Sequence, residues 1–386
     1  VKVVLRDWDD HRRGEEVADE IPEDIASYLR FLRHAPEPGS TLGHRPSLLP
    51  DDWVGLCRTR SAEALKRILR VRNVDATLWG SRTEAHMVPE TPLEVLRWLV
   101  ETRGADLDRC YEQPTSAFHE AIVAGATTRL RELVELGADI NREGDGNPLA
   151  IACRGRRPEV VATLLNLGAD PDPSGASLSP LVECLTGATR DLPATLAIAR
   201  MLLDAGVPVT REARAALARS GGAFEFHRGL LRPGILAACL PRLEVAEDAL
   251  GQLNRLLGVA PDPTWEERIW EDREETLGDP GCDQIDHLAE LLCSGRPGDP
   301  DPLEDLLSHV SDLCLIVRHG GDWMRQQWLW VKRILAILGS GTPLGSDQLT
   351  EARAVAWALV ERPEGMERLV SLTLEWVLRN PVTVCR

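Results

Sequence analysis

A chain of 386 residues with 43% apolar side chains has room for two or three units of about 150 residues, each with its own packed core. Its formal charge of -17, from 61 Asp and Glu against 44 Lys and Arg, repels a phosphate backbone or an anionic membrane surface, so nucleic acid and membrane are poor partners. Nine scattered cysteines, several inside apolar helical patterns, read as reduced core thiols of a cytoplasmic protein, and no run approaches 18 apolar residues.

Residues 1–22 are charged and weakly patterned, which predicts an arm. Ile25, Tyr28, Leu29 and Leu32 share one face and predict a capping helix over 23–33. Pro36, Pro38, Pro46 and Pro50 make 35–51 a loop. Beyond it a period emerges. Gly-Ala-Asp stands at 104–106, 137–139 and 168–170, with a degenerate copy, Gly206-Val-Pro, at spacings of 33, 31 and 38. Each copy follows a Leu- and Val-rich amphipathic stretch, as at Val95–Val100, Leu130–Val134, Val160–Leu165 and Ile198–Leu203. That is a helix ended by a glycine, the residue that takes the left-handed conformation at least cost. Two residues on, Asp108, Asn141 and Asp172 supply side chains that bond their own backbone in turns.

A second anchor keeps the same register. Ser116-Ala-Phe-His119-Glu-Ala121, Asn147-Pro-Leu-Ala150-Ile-Ala152 and Ser179-Pro-Leu-Val182-Glu-Cys184 lie upstream of these glycines, with a weaker copy at Thr83-Glu-Ala-His86-Met-Val88. From the first residue of the anchor to the glycine the count is 21 for Thr83, Ser116 and Asn147. These anchors resemble the Thr-Pro-Leu-His-x-Ala signature that opens the first helix of an ankyrin repeat. Thr83, Ser116, Asn147 and Ser179 suit the N-cap, and His86 and His119 are expected to hydrogen-bond a neighbouring turn. The resemblance covers about 160 of 386 residues, and only the repeats at 116–146 and 147–178 are regular. The fourth carries about six extra residues within Thr186–Pro193, and the first has Pro89 and Pro92 where helix is expected. Only Lys2, Lys66 and Lys332 are lysines, and Ala, Gly, Pro and Arg are abundant, as in GC-rich bacterial genomes.

The last third has no such period. Helices are predicted over 243–259, 264–277, 283–293, 302–317, 322–338, 346–360 and 366–378, separated by Pro and Gly clusters. Cys282, His287, Cys293, His309 and Cys314 lack the tight spacing of a zinc site, so no metal is expected. Seven of eleven tryptophans follow residue 240. Trp265 and Trp270 share a helix whose Glu and Arg residues form a solvated face, and Trp323, Trp328 and Trp330 share another. There is no phosphate-binding loop, nucleophile elbow or HExxH, and no cofactor is expected.

The expected architecture is therefore all-α. An N-terminal arm and capping helix (1–58) precedes an ankyrin-repeat solenoid of about four repeats (59–218), and a C-terminal α-helical bundle (219–386) follows. The resemblance implies a non-enzymatic protein-binding module that makes contact through its turn tips and inner helices, and the acidic C-terminal helices are expected to share the binding surface. Tyr111, Glu112, Arg142, Glu143, Asp145 and Ser177 are the expected contact residues, Tyr111 and Arg142 first because aromatic and Arg side chains dominate hot spots. Acidity favours a basic protein partner. Two other expectations stand beside this one: an immunity or inhibitor protein that neutralises a toxin or enzyme, and an effector enzyme with its catalytic part in the C-terminal helices. A polar pocket with converging Asp, Glu or His between those helices would favour the last.

Overall fold

The computed structural model describes residues 49–50, 52–72, 88–108, 116–141, 147–173, 179–260, 280–293, 301–319, 325–359 and 365–381. Among the described residues all regular structure is helical, with sixteen α-helices and one 3-10 turn. The chain divides into two compact units, one of residues 1–85 and 90–105, the other of residues 86–89 and 106–386. The predicted helices over 23–33 and 264–277 fall outside the described residues.

In the first unit, α1 (Trp53–Thr59), α2 (Ala62–Arg70) and α3 (Leu93–Arg103) enclose Trp53, Leu65, Leu69, Val95, Leu96 and Leu99. Ser61 caps α2 by accepting the Ala64 N–H at 3.4 Å, and such a cap contributes about 1 kcal/mol. The C-terminus of α2 is closed by a side chain. Arg103 donates to the Leu69 and Arg72 carbonyls, each at 2.8 Å, which satisfies acceptors that have no partner within a helix. The indole of fully buried Trp53 finds the Thr91 hydroxyl at 3.3 Å. Pro89 and Pro92 lie ahead of α3, with Pro92 at its N-cap, so neither interrupts it.

The second unit builds helix pairs. They are α4 (Ala117–Val123) with α5 (Thr127–Glu135), α6 (Pro148–Arg154) with α7 (Pro158–Asn166), and α8 (Pro180–Leu185) with α9 (Leu192–Asp204). First helices stack on first helices and second on second, and both rows continue into α10 (Arg211–Leu230) and α11 (Pro233–Leu257). This is the expected all-α solenoid. Its core lies between the rows, where Phe118, Ile122, Leu130, Leu133, Leu149, Leu164, Leu181 and Leu202 are almost wholly buried.

The period's glycines act as expected. Gly104, Gly137, Gly168 and Gly206 have φ of 69°, 94°, 94° and 93°. After Gly104 the next N–H reaches six residues back, to the Leu99 carbonyl at 3.0 Å, and after the other three it reaches five back, as from Ala138 to the Leu133 carbonyl at 3.0 Å. Ser116 and Asn147 cap their helices through the His119 N–H at 3.1 Å and the Leu149 N–H at 2.9 Å. Ser179 does not. Its hydroxyl is buried without a hydrogen-bond partner among the described residues. Thr83 and His86 lie outside those residues.

The pair α10 and α11 corrects the expected helix over 243–259. That helix begins ten residues earlier, at Pro233, and runs through Pro241 to Leu257. Proline removes one helical hydrogen bond, here to the carbonyl of Ala237, and Ala237 is exposed, so water can take the donor's place. The expected junction at 218/219 falls inside α10. Five further helices follow: α12 (Pro280–Leu292), α13 (Pro302–His319), α14 (Arg325–Leu338), α15 (Ser346–Ala358) and α16 (Gly365–Arg379). Neighbours in sequence pack together, and α16 closes the group against α11, α12 and α13.

Candidate functional site

The turns are held in register by a ladder of short polar side chains. Asp106, Asp139 and Asp170 each accept the N–H two residues on, at 3.0, 2.9 and 3.0 Å. Asp108 and Asn141, expected to bond within their own turns, reach across to the next repeat. Asp108 accepts the Asp139 N–H at 3.1 Å, and Asn141 accepts the Asp170 N–H at 2.7 Å. The ladder ends by chemistry. At the next rung stands Pro208, which has no N–H for Asp172 to accept.

In sequence the expected tips follow these rungs. Tyr111 and Glu112, then Arg142, Glu143 and Asp145, then Ser177 all lie outside the described residues, in 109–115, 142–146 and 174–178. What the structure describes is the helix that follows each of them in sequence. On α4, α6 and α8 the outward positions at i, i+3 and i+4 are Glu120, Val123 and Ala124, then Ile151, Arg154 and Gly155, then Glu183 and Thr186. Val123 is 47% exposed, an apolar side chain on a strip otherwise bordered by charge. Burial pushes the Glu120 carboxyl up, and it depresses His119, to which the Arg154 charge adds. His119 Nδ1 is buried without a hydrogen-bond partner among the described residues, so the bond expected of it is not seen there. The sequence pointed to the inner helices but named contact residues only at the tips, although the helical spacing from each signature Leu marks this strip.

The extra residues of the fourth repeat form a joint. Ala188–Asp191 make the 3-10 turn, and Asp191 caps α9 by accepting the Ala194 N–H at 2.9 Å. Ser220 of α10 donates to the Leu185 carbonyl at 2.6 Å and accepts the Ala188 N–H at 3.2 Å. Arg190 reaches α12, where its guanidinium grips the Glu290 carboxylate at 3.1 and 2.5 Å. That bond holds Glu290 below the usual carboxylate range and raises Arg190.

Beside this pair a cleft of about 290 Å³ opens between α12 and α13, lined by Arg190, Asp286, Glu290, Cys293, Ser308, Ser311 and Asp312. Its groups are largely engaged. Ser311 donates to Asp286 at 2.7 Å, and the Cys293 thiol, pushed up to about 12 by burial, donates to the Glu304 carbonyl. Asp312 is raised by desolvation. Cys153, Cys184 and Cys239 are buried free thiols, with Cys184 pushed up to about 12 and Cys239 to about 11. Trp328 stacks on Trp357 at 4.9 Å and Trp330 meets the edge of His309, while Trp265, Trp270 and Trp323 lie outside the described residues.

Comparison with known proteins agrees with the register. The family described as Ankyrin repeats (3 copies) matches residues 86–174. The human protein named Protein phosphatase 1 regulatory subunit 27 is 31% identical over an alignment of 112 residues that covers 26% of this chain and 73% of that protein. This chain belongs to the ankyrin-repeat family. The mouse protein of the same name is 35% identical over 82 residues, 21% of this chain and 53% of that one. Among solved structures, the human ASB11 ankyrin repeat domain matches at 18% identity and a TM-score of 0.33, over 56% of this chain and 86% of that one. Ankyrin repeats are a protein-binding fold, and no helix among the described residues is long and apolar enough to cross a membrane.

Proposed function

We propose that this ankyrin-repeat chain is a non-enzymatic binder of one protein partner. In this reading it engages through the tips bearing Tyr111, Glu112, Arg142, Glu143, Asp145 and Ser177, the adjoining strip of Glu120, Val123, Arg154 and Glu183, and the acidic C-terminal helices. The observation that carries it is the strip: an exposed valine one turn from half-buried Glu120, with exposed Arg154 at the matching position of the next repeat, is an apolar anchor in a polar rim, the anatomy of a protein interface. The charge of -17 supports a basic partner. Residues 1–58, 59–218 and 219–386 are the proposed arm, repeats and helical region. The free thiols of Cys153, Cys184, Cys239 and Cys293 support a reducing compartment, the cytoplasm.

The polar cleft between α12 and α13 is the feature that would favour an effector enzyme, and its chemistry supports the binder instead. Glu290 is held ionised by Arg190, Cys293 lacks the lowered pKa that a nucleophilic thiol needs, and Ser311 donates to an acceptor that is not a histidine. A narrower form of the reading follows from the relatives. The human and mouse proteins are named as regulatory subunits of a phosphatase, which supports an enzyme as the partner here, bound as an inhibitor or immunity protein would bind it.

Binding of the full chain to purified protein phosphatase 1, and capture from the native host, test both forms. A partner of either origin should bind about 30-fold more weakly to Tyr111→Ala/Arg142→Ala and to Val123→Glu/Arg154→Glu, the loss expected when central interface anchors are removed. A partner held equally well by both double variants would sink the proposed surface. Loss in the second pair with none in the first would move binding from the tips to the helical strip.

A further inference from the structure

Where α12 meets α10, two imidazoles face each other. His227 Nδ1 and His287 Nδ1 lie 3.0 Å apart, and Phe226 presents ring-edge contacts to both. A separation of 3.0 Å is a hydrogen-bond length, shorter than a carbon would allow, so one Nδ1 carries the proton and the other receives it. No third histidine, cysteine or carboxylate joins the pair in metal-binding geometry among the described residues.

The seam around the pair is otherwise held by groups that do not titrate near neutrality. Gln284 of α12 donates to the Leu230 carbonyl at 2.8 Å and accepts the Arg232 N–H at 2.7 Å, tying α12 to the corner between α10 and α11. The charges that act on the rings are Glu290 and Asp286 on α12 and Arg190 on the 3-10 turn. The other helices packed on α10 and α12, namely α8, α11, α13 and α16, bring no further charge to bear on either ring among the described residues.

We propose that His227 and His287 form a proton-sharing latch that closes the seam between α10 and α12 while one Nδ1 donates to the other, and opens it when both rings are charged. The neutral pair has one donor and one acceptor. A first added proton goes to the outer Nε2 of the donor ring and leaves the bond in place. A second puts an N–H on the accepting Nδ1, so two donors and two positive charges face each other across a hydrogen-bond distance. Glu290 and Asp286 ease the first proton, but Glu290 is already committed to Arg190, whose own charge opposes the second.

The sign follows from the closed state. Burial holds both rings below the ordinary histidine value, so the closed seam binds fewer protons than the open one. Its contribution is present above about pH 6.5 and is lost as pH falls below that value. Because α10 stacks on the end of the repeats and α12 on α10, acid loosens the C-terminal helices from the repeats while α4–α9 stay packed.

Amide hydrogen exchange of the full chain between pH 7.5 and 5.5, corrected for intrinsic rates, reads this directly. The opening of α12 should rise by up to about tenfold per pH unit below 6.5, with α6 unchanged, and His287→Gln should flatten the rise. Exchange in α12 that tracks α6, or a rise undiminished in His287→Gln, would overturn the latch. Nitrogen chemical shifts of the wild-type imidazoles at pH 7.5 give a readout independent of any variant. One Nδ1 protonated and one bare is the expected result, and two bare Nδ1 atoms would contradict it.

Discussion

Arg156 is an arginine where its neighbour repeat has glycine. Gly125 ends α4 with φ 69°, and Arg156, at the matching corner after α6, keeps a left-handed φ of 51°. That conformation costs a non-glycine residue about 1 kcal/mol or more. Its guanidinium offsets the strain by donating to the Arg154 carbonyl at 3.1 Å, to Thr186 at 2.7 Å and to Gly187, which pins α6 to the end of α8. Arg156→Ala keeps the strain and loses the bonds, so unfolding should show a loss of about 2–4 kcal/mol. Arg156→Gly should be milder by about 1 kcal/mol, since only the bonds are lost. Equal losses would mean that the backbone is relaxed there. The four period glycines were legible in sequence because each follows a Leu-rich helix at constant register. Arg156 was not, since nothing in an arginine announces a positive φ.

At the scale of the elements, the polar rungs explain why a short aspartate or asparagine sits two residues past each Gly-Ala-Asp. Asp108→Ala should cost about 1 kcal/mol by stranding the Asp139 N–H. Asp172→Ala should cost almost nothing, because the exposed Asp172 faces a rung where Pro208 donates no hydrogen bond. Equilibrium unfolding of the two variants side by side checks the contrast, and equal effects would remove the ladder. The repeats themselves were readable from two anchors in fixed register. The long pair α10 and α11 was not, for it extends both rows without either anchor and runs through Pro241, which sequence reasoning takes as a boundary. Likewise the insertion at 186–193 showed only as extra length. Its use as the joint that carries Arg190 to Glu290 depends on a contact 100 residues apart, which local pattern cannot reveal.

For the whole molecule, the central claim is that an acidic ankyrin-repeat protein meets a protein partner on the strip and tips of its repeats. Fold class was legible throughout, because helical periodicity and Pro–Gly punctuation survive in a single sequence. The binding face was only half legible. Tips were named from position alone, whereas Val123 and Arg154 become candidates once the burial of α4 and α6 shows which side remains open. Amide exchange of the full chain with and without its captured or purified partner gives the most direct test. Protection by at least about fivefold, some 1 kcal/mol of added local stability, should appear in α4, α6, α8 and the tips at 109–115 and 142–146, and be lost in Val123→Glu/Arg154→Glu. Protection confined to α12–α16, with the repeats unchanged, would contradict the account.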